Sequence, residues 1–280
     1  MNQSSVIKIN IDEVLRQRLP HHYRFIPRFL IRWLEIIICQ EQLNELLSNN
    51  YGKKDADFCR GVINDLNISL KINGENNLPP REKRRVVIVS NHPLGGLDGI
   101  ALIDFINQQY GGKLHFVVND LLMAVKPLNG VFLPINKHGK QSRLSMQAIE
   151  DAFAGDDPIL IFPAGLVSRQ GENGVIADLK WQKMFVAKSI KYHRDIIPLY
   201  FDGENSPFFY NFAKLRAKLN IKFNIEMILL PREIFRCKNS TLTISIGAPI
   251  SWQSLVCKEN HDLQLIANDI KRFVYNLNQI

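Results

Sequence analysis

The fold is decided at residues 86–99, which read VVIVSNHPLGGLDG. The stretch opens with four apolar, mostly β-branched residues, which is typical of a buried strand. His92 and Asp98 follow, six positions apart, and a fully extended chain would separate their side chains by roughly 20 Å. The proline and the two glycines between them favour a sharp turn, because glycine tolerates positive φ. We therefore expect a compact loop that brings the Asp98 carboxylate against the His92 ring.

A histidine held by a carboxylate has a defined chemistry. The carboxylate fixes the imidazole tautomer and stabilises the cation that forms when the ring accepts a proton. An apolar segment of helical length follows at residues 100–106, so the pair lies between a strand and a helix, where α/β folds place their sites. Pattern alone leaves a second interpretation open, a plain strand-to-helix turn with one exposed histidine.

The sequence NHPLGGLDG, beginning at Asn91, resembles the first block of the phospholipid/glycerol acyltransferase family (PlsC-like, LPLAT), in which Asn-His is followed by Asp. That family usually has four residues between the histidine and the aspartate, whereas this chain has five. The longer spacing resembles the hemolysin-like branch, whose members O-acylate lyso-ornithine or lyso-glycine lipids. The resemblance implies that His92 is the general base and that Asp98 orients it. It also implies substrate contacts from Asn91 and from the turn at Gly95 and Gly96, whose backbone N–H groups are candidate oxyanion donors.

Later segments resemble further blocks of the same family. Residues 130–137, GVFLPINK, end in a lysine at roughly the place of the family's acceptor-binding arginine. Residues 162–169, FPAGLVSR, resemble the third block, Phe-Pro-Glu-Gly-Thr-Arg, with Ala164 in place of the acid and Arg169 two positions late. The substrate-binding candidates in these segments are Lys137, Phe162, Pro163, Gly165, Ser168 and Arg169.

The departures in the third block argue for an acceptor other than a glycerol phosphate. We expect Arg169 to meet an acceptor carboxylate with two parallel hydrogen bonds. The backbone near Gly165 is a second candidate for the oxyanion donors. The plain alternatives are an ordinary strand-end lysine at Lys137 and a surface loop arginine at Arg169.

Strands alternate with helices from residue 86 onward, which predicts an α/β fold with a mixed, largely parallel sheet flanked by helices. The family resemblance implies the glycerol-phosphate-acyltransferase-like form of this fold. The 280 residues suffice for one such domain with a helical extension. We expect an N-terminal amphipathic helical region at residues 1–75 and an acyltransferase domain at residues 76–280.

The N-terminal region has a helical apolar period over residues 23–49, beside a basic stripe of Arg24, Arg28 and Arg32. An apolar face that carries Trp33 and is flanked by arginines suits the boundary between lipid headgroups and acyl chains. A helix docked on the catalytic domain, with solvated arginines, is the alternative. The polar residues up to Pro20 are expected to be loosely held.

The net charge and the cysteines indicate which partners and which cellular compartment to expect. The net charge of +8 favours acidic partners, and the sequence shows none of the motifs typical of nucleic-acid binding, so we expect no nucleic acid. Anionic lipid headgroups and an acidic acyl carrier protein match the charge. The four cysteines, at positions 39, 59, 237 and 257, lack paired spacing and indicate reduced cytosolic thiols.

No stretch reaches the roughly 18 uninterrupted apolar residues of a spanning helix, and residues 1–10 do not resemble a signal peptide. We therefore expect a peripheral or monotopic protein at the cytoplasmic face of the inner membrane.

These observations predict an enzyme that moves a fatty acyl group from an acyl thioester to the hydroxyl of a lyso-amino-acid lipid. The thioester of acyl carrier protein or CoA is a co-substrate, and no metal or other cofactor is expected. Acylation of lysophosphatidic acid is the alternative enzyme activity. A membrane-surface protein that keeps the scaffold without turnover is the non-enzymatic alternative. A nucleotide-binding module is poorly supported, because the two glycines lack the G-x-G-x-x-G order.

Overall fold

A seven-stranded sheet lies at the centre of the computed structural model, which describes residues 8–135, 143–256 and 262–279. The strands are β1 (Ser69–Asn73), β2 (Val86–Ser90), β3 (His115–Asn119), β4 (Phe132–Ile135), β5 (Ile159–Ile161), β6 (Arg169–Gln170), β7 (Ile176–Ala177), β8 (Asp195–Asp202) and β9 (Thr241–Ile246). Strands β6 and β7 pair only with each other, as an antiparallel hairpin, and the others form the sheet in the order β1-β9-β8-β2-β5-β3-β4. Every pairing in this sheet is parallel except that of β8 with β9. The mixed, largely parallel sheet predicted from the sequence is confirmed.

Helices cover both faces of this sheet. They are α1 (Ile11–Arg18), α2 (Arg28–Ile37), α3 (Gln40–Asn49), α4 (Asp55–Asp65), α5 (Gly96–Tyr110), α6 (Arg143–Ala154), α7 (Met184–Tyr192), α8 (Pro207–Lys218), α9 (Leu230–Arg236), α10 (Trp252–Val256) and α11 (Leu263–Asn276). Within the described residues, none of these helices is long and apolar enough to cross a membrane.

Strand β2 is the middle of the sheet and is buried on both faces. Val86 and Ile88 pack into one apolar cluster with α4 and α5. Val87 and Val89 pack into a second cluster on the opposite face, with α6, α7 and α11. Alternate residues of a strand point to opposite faces, so four consecutive apolar residues supply both layers of the core at once.

The N-terminal helices differ from the single helical segment predicted over residues 23–49. Helices α2 and α3 are separated at Cys39, which takes a left-handed conformation with φ of 54°. The apolar period continues through both helices, so periodicity alone does not reveal the break. The stretch before Pro20, expected to be loosely held, contains α1, whose first turn is capped where the Asn10 side chain accepts from the Glu13 N–H at 3.1 Å.

The first part of the chain is also joined to the main sheet. Strand β1 pairs with β9, with Ser69 opposite Thr241, and Phe58 and Val62 of α4 share an apolar cluster with α5. The division at residue 75 stays a prediction, but α4 and β1 contribute to the same core as the residues that follow it.

Three of the cysteines, Cys39, Cys59 and Cys237, are free thiols, and Cys257 lies outside the described residues. Burial raises the pKa of the Cys59 thiol well above its ordinary value.

One buried arginine joins the end of α6 to the strands that follow. Arg194 is fully buried, and its guanidinium donates to the carbonyl oxygens of Phe153 at 2.8 Å, Asp157 at 2.9 Å and Ala152 at 3.0 Å. Two of these carbonyls belong to the last turn of α6, where helical carbonyls lack partners within the helix. Burial lowers the pKa of Arg194 to about 10, so the side chain stays cationic at neutral pH.

Replacing this arginine tests the arrangement. We expect Arg194→Met to lower the free energy of unfolding by about 3–5 kcal/mol, because several buried carbonyls lose their donors together. Urea unfolding followed by circular dichroism measures the loss. Arg85→Met is the matched control, because Arg85 donates to the Gly155 carbonyl just after α6 but is only partly buried, and its loss should stay within about 0.5 kcal/mol. Equal losses in the two variants would contradict this account.

Candidate active site

The turn between β2 and α5 is organised by the Asp98 carboxylate. Asp98 lies in the first turn of α5 and is fully buried. Its Oδ2 accepts from the N–H groups of Leu94 at 2.9 Å and Gly95 at 3.2 Å, and its Oδ1 accepts from that of Gly99 at 2.8 Å. Gly95 has φ of 82°, the left-handed region that glycine adopts without strain. The positive end of the helix dipole further stabilises a carboxylate at this position.

The same carboxylate holds the histidine. His92 Nδ1 lies 3.0 Å from Asp98 Oδ2, so the two side chains meet as the sequence predicts. A carboxylate accepts, so this contact favours the neutral tautomer with the proton on Nδ1, in which Nε2 carries the lone pair. The His92 side chain is 16% exposed. This arrangement leaves Nε2 chemically able to take a proton from a substrate hydroxyl.

Two aromatic rings fix the plane of the imidazole. The Phe162 ring stacks on His92 with a centroid distance of 4.1 Å and an interplanar angle of 17°. Phe116 meets Phe162 edge-on, at 5.3 Å and 88°. Of the predicted substrate-binding residues in the third block, Phe162 is thus in direct contact with the histidine.

Asn91 joins the ends of two neighbouring strands. Its Nδ2 donates to the Phe201 carbonyl at 2.9 Å, and its Oδ1 accepts from the Phe201 N–H at 2.7 Å. The side chain is buried and its amide is paired with the backbone of β8 on both sides. The substrate contact expected of Asn91 stays a prediction.

The glycines of the site have different surroundings. A Cβ on Gly95 would lie 2.8 Å from Leu230, and one on Gly96 would lie 3.2 Å from Ile234, so α9 packs directly against the turn. The Gly95 N–H is bonded to Asp98. Gly96 begins α5, where helical N–H groups lack intrahelical partners, and it stays the candidate oxyanion donor of this turn.

Residues 162–169, the third block, make a tight turn directly after β5. Gly165 has φ of 62°, and its N–H donates to the Phe162 carbonyl at 2.9 Å. The Pro163 carbonyl accepts from the Gln182 N–H at 3.0 Å. Lys137, the predicted basic residue of the second block, lies outside the described residues.

Arg169 has a carboxylate partner within the chain. Its Nη2 donates to Glu226 Oε1 at 2.7 Å, its Nη1 donates to the Val167 carbonyl at 2.8 Å, and the guanidinium lies over the Phe209 ring at 5.5 Å. Burial lowers the pKa of Arg169, and the attraction of Glu226 opposes that shift. Glu226 is fully buried and also pairs with Arg216. The acceptor contact expected of Arg169 stays a prediction, and in this structure its guanidinium faces Glu226.

Two polar residues near the histidine were missed in the sequence. Asp178 Oδ1 accepts from the His92 N–H at 3.1 Å and from Ser168 Oγ at 2.6 Å. Asn205 Nδ2 donates to the Pro93 carbonyl at 2.9 Å. Each lies in a loop that is distant in sequence from His92, and no spacing connects it to the histidine.

Two cavities among the described residues lie beside the turn that carries His92 and at the far end of the sheet. A cavity of about 70 Å³ is lined by Ser168, Asp202 and Tyr275. A larger cavity of about 540 Å³ is lined by Val86 and Asp195, which begin β2 and β8, so it lies at the opposite end of those strands from His92. Within the described ranges, no three His, Cys, Asp or Glu side chains group as a metal-ion site.

A histidine–aspartate pair at the carboxyl end of a central parallel strand has a geometry suited to general base catalysis on a hydroxyl. The family model described as "Acyltransferase" matches residues 13–277. This chain belongs to that acyltransferase family, and the family relationship expected from residues 91–99 is confirmed.

Relatives with assigned activities agree with the family. Two proteins named lyso-glycine lipid O-acyltransferase, from Phocaeicola vulgatus and Bacteroides thetaiotaomicron, are 43% and 41% identical to this chain over 254 residues. Each alignment covers 91% of this chain, and they cover 90% and 92% of the relatives. The crystal structure of the 1-acyl-sn-glycerophosphate (LPA) acyltransferase PlsC from Thermotoga maritima superposes with a TM-score of 0.44 at 16% identity, covering 95% of this chain and 98% of that one.

Two glycines with nearly equal φ test the turn. Gly95 and Gly174 have φ of 82° and 81°, but Gly174 has open space around the site of a Cβ. We expect Gly174→Ala to cost about 1–2 kcal/mol of stability from the positive φ, and Gly95→Ala to cost at least as much, because its Cβ also meets Leu230. Only Gly95→Ala should also lose activity, because its methyl group meets Leu230 and displaces the turn that carries Asp98. Thermal unfolding and acyl-transfer rates measure the two effects, and full activity in Gly95→Ala would contradict the account.

Proposed function

We propose that this acyltransferase moves a fatty acyl group from an acyl thioester to the hydroxyl of a lyso-glycine lipid. The observation that carries the proposal is the 3.0 Å contact between His92 and Asp98 at the end of β2. The acceptor is supported by the two relatives named for lyso-glycine lipid, each aligned over most of its length.

The chemistry follows from the protonation state of the pair. His92 Nε2 takes the proton of the acceptor hydroxyl as its oxygen attacks the thioester carbonyl, and Asp98 stabilises the imidazolium. The resulting tetrahedral oxyanion needs N–H donors, for which the first turn of α5 at Gly96 is the candidate. Collapse of the intermediate breaks the carbon–sulfur bond, and the imidazolium returns its proton to the departing thiolate. The products are an ester and a free thiol.

The third block favours an acceptor without a phosphate monoester. Ala164 stands where the third block of the glycerol-phosphate enzymes has an acidic residue. It is buried in the apolar cluster that also contains Val87 and Val89. The Arg169 guanidinium forms an ion pair with Glu226 of the same chain. Both features differ from the glycerol-phosphate pattern and count against lysophosphatidic acid, whereas the choice of a glycine lipid is supported by the two relatives.

The donor is proposed to be a fatty acyl thioester of acyl carrier protein or of CoA. The net charge of +8 suits both, because acyl carrier protein is acidic and CoA carries phosphates.

One experiment tests the acceptor and the base together. Wild type and His92→Ala are given palmitoyl-CoA and palmitoyl-acyl carrier protein separately, with lyso-glycine lipid or lysophosphatidic acid as acceptor. We expect transfer to lyso-glycine lipid by the wild type and a loss of about 10²–10⁴-fold in His92→Ala. Ester formation is measured by mass spectrometry and thiol release by colorimetry.

Each part of this proposal has its own contrary result. Faster transfer to lysophosphatidic acid would overturn the acceptor. Undiminished rates in His92→Ala would overturn the base. An absence of thiol release with both donors would favour the non-enzymatic alternative.

We propose further that the protein works at the cytoplasmic face of the inner membrane, held peripherally by α2. Phe29 and Ile36 are each 74% exposed and Trp33 is 51% exposed, and Arg28 and Arg32 of the same helix are exposed. Exposed aromatic and aliphatic side chains beside arginines suit an anionic lipid surface.

Removing the apolar side chains of α2 tests this location. We expect the triple change of Phe29, Trp33 and Ile36 to serine to lower binding to phosphatidylcholine–phosphatidylglycerol vesicles by at least about tenfold, because each residue loses burial worth about 1.5–3 kcal/mol. Co-sedimentation measures the binding.

The control carries equally exposed apolar residues on other helices. Leu144 and Met146 of α6 and Leu265 of α11 are 83%, 51% and 54% exposed. Their triple change to serine should leave vesicle binding unchanged. Equal losses in the two triple variants would contradict the role of α2.

A further inference from the structure

The backbone N–H and the backbone carbonyl of His92 are both hydrogen-bonded to a segment that is distant in sequence. Its N–H donates to Asp178 Oδ1 at 3.1 Å, and its carbonyl accepts from the Ser168 N–H at 2.8 Å. Ser168 and Asp178 lie on either side of the hairpin formed by β6 and β7. The side chain of His92 is fixed by one set of contacts and its backbone by another.

Asp178 is the centre of the second set. It is 5% exposed. Oδ1 also accepts from Ser168 Oγ at 2.6 Å, and Oδ2 accepts from Trp181 Nε1 at 2.8 Å. Three donors from three parts of the chain therefore converge on one carboxylate. Asp178 is anchored in turn through its own backbone, because its N–H donates to the Tyr275 hydroxyl at 2.7 Å.

These contacts require an aspartate rather than an asparagine at position 178. Both oxygens of Asp178 act as acceptors, so an aspartate satisfies all three donors. An asparagine offers one acceptor oxygen, and its NH₂ group would face either the His92 N–H or the Trp181 indole N–H. A buried donor left without a partner is costly, so we expect the backbone of the turn to shift in such a variant.

We propose that Asp178 is a positioning residue for His92, which it serves by fixing the backbone from which the imidazole projects. The ring has to remain against Asp98 on one side and Phe162 on the other, and both contacts depend on where the His92 Cα is held. A displacement of about 1 Å at a reacting group costs about 10²-fold in rate. This proposal rests on the proposed function, in which His92 is the general base.

The positioning role makes a kinetic prediction. Asp178→Asn should lower kcat about 10- to 100-fold while the KM for lyso-glycine lipid changes less than about threefold. An acceptor-binding role would instead raise KM. The loss should also vanish in a His92→Ala background, because a residue that acts only through His92 has nothing to act on once the ring is gone.

Asp104 provides a matched control for the loss of a buried acid. It is 3% exposed, lies on α5 and pairs with Arg60. Asp104→Asn should lower thermal stability by a similar amount while kcat stays within about twofold of the wild type. Comparison of the two variants separates the loss of fold stability from the loss of geometry.

A second variant covers the case in which Asp178→Asn does not fold. Trp181→Phe keeps the carboxylate and the aromatic packing and removes only the donor to Oδ2. It should lower kcat below that of Asp104→Asn, again with KM nearly unchanged and with no further effect in His92→Ala, and a kcat equal to that of Asp104→Asn would overturn the inference.

The outcomes separate the two claims. The inference is overturned if kcat of a folded Asp178→Asn equals that of Asp104→Asn, if the change falls on KM, or if the losses of His92→Ala and Asp178→Asn multiply. The proposed function is overturned separately if His92→Ala alone keeps its rate. A reduced kcat, a constant KM and non-multiplying losses support the inference.

Discussion

The structure depends on one buried negative charge, the Asp98 carboxylate at the start of α5. Three backbone N–H groups and one imidazole nitrogen surround its two oxygens. Burial of a carboxylate is costly unless such donors replace its water, so the turn from Leu94 to Gly99 has to fold around it. The hydrogen bonds that stabilise the buried Asp98 charge also fix the position of its carboxylate. That position determines where the His92 ring is bound. Local structure and chemistry are thus consequences of a single constraint.

The sheet supplies the rigid frame for this turn. Strand β2 is flanked by β5 and β8, and both of its faces are covered by helices. Asn91 ties the end of β2 to β8, and Phe162, directly after β5, supplies the ring that stacks on the histidine. The carboxyl ends of three adjacent strands therefore meet at one point, which is where parallel sheets characteristically carry their sites.

Much of this arrangement could be predicted from the sequence, because the interacting residues lie close together along the chain. The strand at residues 86–90, the glycine turn and the His92–Asp98 contact are specified by residues within one short segment. Asp178, Asn205 and Glu226 could not be predicted, because the partner of each is brought to it only by the tertiary fold. The break at Cys39 was also missed, since a left-handed residue leaves the apolar period of its helices unchanged.

The pairing of β1 with β9 has a consequence for how the chain matures. These strands lie side by side, with Ser69 opposite Thr241, although nearly the whole catalytic region separates them in sequence. Closing so long a loop is slow, and a partner that emerges late from the ribosome cannot be used early. During synthesis β1 therefore cannot pair before β9 is made, and we expect this N-terminal strand to join the sheet late.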